Sequence, residues 1–230
     1  MSYFERIYRY YQQKGWHHLI GSLHEQGRMH EDIMNFVNQH VYHGLLKCIN
    51  PVVQQKSLSS TFQDETDPLF HSRLVYVPSK QSLQETYSKT NAIEAENVLT
   101  IIGYWQALLK RYGLDWTIGV ITPFRAQIAA ILHLAHQRKV DLKDITVDTV
   151  ERYQGGARDI IIMSCAVNNP RSLERISSLN AEGIDRKLNV AMTRARQQFV
   201  VTGVEAVLKQ SNAYRELIES CRRLESPIIN

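Results

Sequence analysis

The sequence predicts an α/β domain with a mainly parallel sheet covered on both faces. Three observations predict it. Strand-length apolar runs alternate repeatedly with stripes of helical period. The runs are continuous rather than alternating in polarity, as expected for strands buried on both sides. Hydrophobic residues make up 43% of the 230, enough for a sizeable core.

Taken in order, residues 2–7 enter an amphipathic pattern at once, with no signal-peptide core, so a start inside a longer protein is expected. Leu19-Ile20-Gly21-Ser22-Leu23 reads as a strand, and Ile33, Phe36, Val37 and Val41 fall at helical spacing after it. Residues 51–72 carry Pro51, Ser57, Ser59, Ser60, Asp64, Asp67 and Pro68 and read as a polar, irregular excursion on the surface. Leu74-Val75-Tyr76-Val77 is the next strand. Ile93, Ile101, Ile102, Trp105, Leu108 and Leu109 then mark a helix. Ile118-Gly119-Val120-Ile121 is a strand, and Phe124, Ile128, Ile131, Leu132 and Ala135 mark the helix after it. Ile160-Ile161-Ile162-Met163 and Phe199-Val200-Val201 are further strands. Between them, Leu188, Ala191, Met192 and Ala195 define the buried face of a helix that runs to Arg196.

The net charge is +4, mildly basic, which permits a polyanionic partner without demanding one. The three cysteines, Cys48, Cys165 and Cys221, are widely spaced and read as reduced thiols of a cytoplasmic protein. No apolar stretch is long enough for a membrane span. His40 and His43, and His133 and His136, have no cysteine or carboxylate cluster at zinc-ligand spacing, so no metal site is expected.

Two arginine-bearing segments stand far apart, Gln26 to His30 and Leu188 to Arg196, with the glycine turn Tyr153-Gln154-Gly155-Gly156 between them. Arg28 and Arg194 read as two guanidinium groups for one phosphate. The chain has no loop of its own to cradle that phosphate. No Gly-Lys dipeptide occurs, which excludes G-x-x-x-x-G-K-S/T. Thr122-Pro123 follows a buried strand and reads as N-cap and first turn of a helix. That places free N–H groups at a carboxyl strand end, where phosphates bind. Arg125 and Gln127 add donors, and Thr149, at the end of another strand, adds a second hydroxyl on the same rim.

In order, these segments resemble the second RecA-like domain of superfamily 1B helicases. The branch is that of the nonsense-mediated-decay RNA helicase and the DNA replication helicase-nuclease. Ser2 to Ile7 resembles S-L-F-E-R-L. Gln26 to His30, with Ile33 and Phe36, resembles Q-Y-R-M-H-P-x-I-x-x-F, and Tyr42 to Leu46 resembles F-Y-x-G-x-L. Asn91, Glu94 and Ala95 match N-x-x-E-A, and Ile118 to Gln127 matches I-G-V-I-T-P-Y/F-R-A-Q. Thr149 to Ser164 resembles T-V-D-x-F-Q-G-x-E-x-D-x-I-I-x-S, and Lys187 to Gly203 resembles R-L-N-V-A-L-T-R-A-R-x-x-L-x-V-x-G.

The resemblance implies one RecA-like lobe over residues 1–230, with the excursion at 51–72. It implies ATP and Mg2+ held mainly by a first lobe of the same full-length protein, which supplies the phosphate loop. This lobe then offers Arg28 and Arg194 as catalytic fingers, with Gln26, Gln154 and Gly155 also at the nucleotide. Single-stranded DNA or RNA is the implied partner, through backbone contacts by Thr122, Pro123, Arg125, Gln127 and Thr149, with 5′-to-3′ movement. Three positions depart from the pattern: Gly27 replaces the aromatic ring, Glu31 the proline, and Ala157 the glutamate of Q-G-x-E. Gly27 and Ala157 suggest an alternative, a degenerate lobe kept as a nucleic-acid or protein binding module.

Overall fold

A computed structural model describes residues 3–62, 68–81, 89–153, 156–179 and 183–225. The elements in chain order are helix α1 (Tyr3–Gln13), strand β1 (Glu25–Gln26), α2 (Glu31–His40), β2 (Lys47–Cys48), α3 (Pro51–Gln54), α4 (Leu58–Thr61) and β3 (Leu74–Ser79). Next come α5 (Ala92–Tyr112), β4 (Ile118–Ile121), α6 (Arg125–Arg138), β5 (Thr146–Asp148), β6 (Arg158–Ser164) and α7 (Pro170–Ile176). The chain then forms α8 (Arg186–Met192), β7 (Ala195–Val204), α9 (Glu205–Leu208), α10 (Asn212–Ser220) and β8 (Arg222–Arg223).

Among the described residues six strands form one sheet in the order β5-β4-β6-β7-β3-β8, and every pair is parallel. Successive side chains of a strand point to opposite faces, and here both faces are covered. Val75, Val77, Val120, Ile160, Ile162 and Val200 pack with Ile101, Ile102 and Trp105 of α5 and Ile131 of α6. Tyr76, Ile121, Ile161, Met163, Phe199 and Val201 pack with Ile33 and Phe36 of α2, Leu188 and Met192 of α8, and Leu217 of α10. That is why the runs carry no polar alternation.

Four expectations change. Leu19 to Leu23 is not a strand: His17–Leu19 forms a single 3-10 turn, residues 21–24 are exposed, and the ladder begins only where the His24 carbonyl accepts from the Lys47 amide at 2.7 Å. The strand before Arg28 is the two-residue β1, paired with β2.

The 51–72 excursion is not merely a surface loop. Asn50 accepts from the Val53 amide at 3.4 Å and Pro51 opens α3, a combination that favours helix initiation. Leu58, Phe62 and Leu69 are buried, and Phe62 meets Trp105, Tyr112 and Trp116 edge-on, with ring centroids 5.1 to 5.8 Å away. Asp64 and Glu65 lie outside the described residues.

Thr122 does not cap α6. Its amide donates to the Asp148 carbonyl at 3.1 Å, which extends the β4–β5 ladder by one residue, so the helix starts only after Phe124. Helix α8 stops at Met192, because Ala195 is already paired with Arg158 in the sheet. Arg194 therefore sits in the turn before β7 rather than on a helix flank.

Candidate functional site

The loop Gln26 to His30 is shaped by its own glutamine. Gln26 Oε1 accepts from the amides of Arg28 at 2.9 Å and Met29 at 2.8 Å, and its Nε2 donates to the Met29 carbonyl at 3.1 Å. Buried Met29 pins the loop to the core, while Arg28 points out and is exposed. The His30 amide donates to the Arg196 carbonyl at 2.8 Å, which ties the loop to the amino end of β7. His30 then caps α2: its Nδ1 accepts from the Asp32 amide at 3.1 Å. Burial, and Arg73 nearby, lower its pKa, so the ring stays neutral and its contact with the Asp32 carboxylate is no ion pair.

These bonds bring the two arginines together. Arg28 Nη1 donates to the carbonyl of Thr193 at 3.2 Å, one residue before Arg194. The backbone of Arg194 is held on both sides, its amide to Ala191 and its carbonyl to the Arg158 amide. Its Nε is buried without an acceptor. Burial, and the like charge of Arg28, lower its pKa. Among the described residues neither arginine has a carboxylate partner. Two paired cations with unspent donors and no counter-charge make a site for an anion with several oxygens. Gln154 and Gly155, expected beside them, lie outside the described residues. Gln26 faces inward and spends its amide on the loop, so it supports the site rather than lining it.

The residues expected on nucleic acid lie at the other end of the sheet. Thr122 and Thr149 follow the carboxyl ends of β4 and β5, whereas Arg28 and Arg194 sit at the amino end of β7. Arg125 is exposed and Pro123 half-buried, so both are accessible. Thr122 is fully buried and its Oγ1 has no partner. Thr149 is 8% exposed, and its side chain hydrogen-bonds to Glu151. Gln127 is fully buried and committed: its Oε1 accepts from the Asn91 amide at 2.9 Å, and its Nε2 donates to the Asn91 carbonyl at 3.0 Å and to Ser164 Oγ at 3.1 Å. Gln127 and Thr122 are corrected accordingly: they build the rim from inside rather than present donors on it.

Gln127 belongs to a polar network centred on Glu94, whose carboxylate accepts from the Ala166 amide at 2.7 Å, Ser164 Oγ at 2.9 Å and Ser79 Oγ at 3.4 Å. Burial pushes the Glu94 carboxyl up to about 8 although those hydrogen bonds oppose it. The network locks the carboxyl ends of β3 and β6 to the first turn of α5 and to α6. Its roles were not legible from spacing, because the partners are 70 and 72 positions away in the chain. The same holds for buried Arg73, which donates to the Gln197 carbonyl at 3.0 Å and to the Lys56 carbonyl, and whose pKa burial lowers to about 10.

Known proteins resemble the chain in sequence and in fold. The model of a family described as an AAA domain matches residues 1–206. The chain is 28% identical over 221 residues to the DNA polymerase alpha-associated DNA helicase A of Saccharomyces cerevisiae, covering 92% of this chain and 31% of that protein. It is 29% identical over 218 residues to the Regulator of nonsense transcripts 1 homolog of Arabidopsis thaliana, covering 90% of this chain and 17% of that one. It thus spans under a third of the length of these relatives. A crystal structure of the C-terminal domain of a possible DNA helicase from Lactobacillus plantarum has the same fold, with a TM-score of 0.50 at 12% identity, covering 86% of this chain and 98% of that one.

Proposed function

We propose that the chain, which belongs to the AAA domain family, is a second RecA-like lobe of a superfamily 1 helicase, the half of an ATP-driven motor that completes the nucleotide site. The observation that carries the reading is the juxtaposition of Arg28 and Arg194 without a counter-charge. A first lobe would present ATP with Mg2+, whose charge would offset part of that on the γ-phosphate. Arg28 and Arg194 would donate to the γ-phosphate oxygens. Their fixed charge stabilises the transition state more than the ground state, because charge on those oxygens is redistributed as the bond breaks. The chain has no phosphate loop, so it does not hydrolyse ATP by itself.

Single-stranded DNA or RNA runs along the opposite rim, where Arg125, the amides near Pro123 and Thr149 meet phosphates rather than bases. The 5′-to-3′ direction and a cytoplasmic location are part of the same proposal. A degenerate binding module would have lost the arginine geometry along with the ring at Gly27. The loop keeps its shape through Gln26 instead, which favours the motor.

The test compares ATP turnover by the 230-residue chain alone and joined to its first lobe, with and without single strands. Turnover is expected only from the joined protein, stimulated by nucleic acid. Hydrolysis by the chain alone that survives Arg194→Ala would overturn the half-site reading.

A further inference from the structure

Gln54 is the last residue of α3 and is 4% exposed. Its Nε2 donates to the carbonyls of Gln26 at 3.1 Å and Met29 at 2.8 Å, and its Oε1 accepts from the Asn50 amide at 2.9 Å. Both amide hydrogens and the oxygen are thus in use. The two carbonyls flank Gly27 and Arg28. Gln26 closes this loop from inside and Gln54 clamps it from outside. The loop needs the clamp: Gly27 has no side chain to wedge it, and a Cβ there would meet only Ile49 Cδ1, at 3.7 Å. The carbonyl of Lys56, two residues on, accepts from His30 Nε2 at 3.2 Å and from Arg73, so the start of the excursion grips the loop at a third point.

We propose that Gln54 is a positioning residue for Arg28. Through the carbonyls of Gln26 and Met29 it fixes the direction in which the guanidinium leaves the loop, and so the fraction of time it spends within reach of a phosphate oxygen. It does not touch the nucleotide. The inference rests on the reading of Arg28 as a finger, because an arginine with no transition state to meet needs no such aim. A long side chain on a glycine-bearing loop is the case in which a small backbone shift moves the charged end furthest. A displacement of 1 Å at reacting groups costs as much as about a hundredfold in rate.

The test is Gln54→Met, which keeps the length and volume of the side chain but can neither donate nor accept at these distances. Hydrogen exchange on the 230-residue chain reads the order of the loop that the clamp holds. Amides of residues 26–30 are expected to exchange faster while those of β6 and β7 stay unchanged. Joined to the first lobe, the variant is expected to lose roughly tenfold to a hundredfold in kcat with the KM for ATP little altered. In an Arg28→Ala background the same substitution should change nothing further, since Gln54 acts through Arg28. Unchanged exchange at 26–30 overturns the proposal. So does faster exchange across the whole sheet, which marks general destabilisation, and so does an equal loss of kcat with Arg28 already removed. If Arg28→Ala itself leaves kcat intact in an active protein, the finger reading falls and the rate effect with it, whatever exchange shows.

Discussion

Arg28 hydrogen-bonds through Nη1 to the carbonyl of Thr193 at 3.2 Å, across 165 positions of sequence. The bond brings one guanidinium toward the next residue's, and burial, then the like charge of Arg28, lowers the Arg194 pKa. Two cations are held together against their repulsion only where the scaffold forces them, here by the backbone bonds of Arg194 and the Gln26 turn. In the joined protein, Arg28→Ala or Arg194→Ala is expected to lower kcat for ATP by about 10³ or more, with a far smaller change in KM. Steady-state ATPase kinetics check it, and a variant with kcat intact and only KM raised would contradict the finger role.

Thr122→Val tests the correction at the opposite rim. A lost N-cap would cost about 1 kcal/mol. The structure gives the reverse expectation, because Thr122 is buried with its hydroxyl unpartnered, and an isosteric methyl removes that burden. The unfolding midpoint should hold or rise slightly. Binding of single strands, followed by fluorescence anisotropy, should be unchanged by Thr122→Val and weakened evenly across sequences by Arg125→Ala.

The difference between these two threonine readings shows where the sequence was legible. Strands β3, β4, β6 and β7 are covered on both faces, so their apolar runs located them, whereas the run Leu19 to Leu23 is no strand. Arg28 and Arg194 stood out because motif order pairs them. Thr122 was misread because Thr-Pro is a sound local helix start, and only the long-range bond to Asp148 shows that the ladder claims it first. The end of α8 failed in the same way: Ala195 continues the helical stripe of Ala191, but pairing with Arg158 turns it into strand. Gln54 left no local signal at all, since its value lies in two carbonyls more than twenty positions away.

Glu94 makes stability depend on pH. A carboxyl kept protonated in the fold holds a proton that the unfolded chain has released. Its contribution is therefore full below its ordinary value of 4.5 and is lost as pH rises through about 8. The melting temperature of the wild type should fall across that window. Glu94→Gln should flatten the fall, at some cost from the altered bonds to Ser164 and Ala166. A wild-type and variant pair with parallel pH profiles would show that Glu94 does not hold the proton.

Phe62→Ala measures how far the 51–72 segment belongs to the core. The ring is fully buried among Trp105, Tyr112 and Trp116. Truncation is expected to cost about 3–5 kcal/mol, read from denaturant titration. A loss under about 1 kcal/mol, the scale of a typical substitution, would return the segment to the surface.

The place of β3 in the sheet has a consequence for biosynthesis. It is the earliest of the six strands to leave the ribosome, yet its two neighbours are β7 and β8, the last to be made. Strands β4, β5 and β6 can pair among themselves as they emerge, but Leu74 must wait for Phe199 and Val75 for Arg222. Throughout that interval an apolar strand stands unpaired, the kind of non-local delay that slows folding and invites aggregation. A premature stop codon before Phe199 should therefore leave β3 with neither of its neighbours, an apolar strand permanently unmatched.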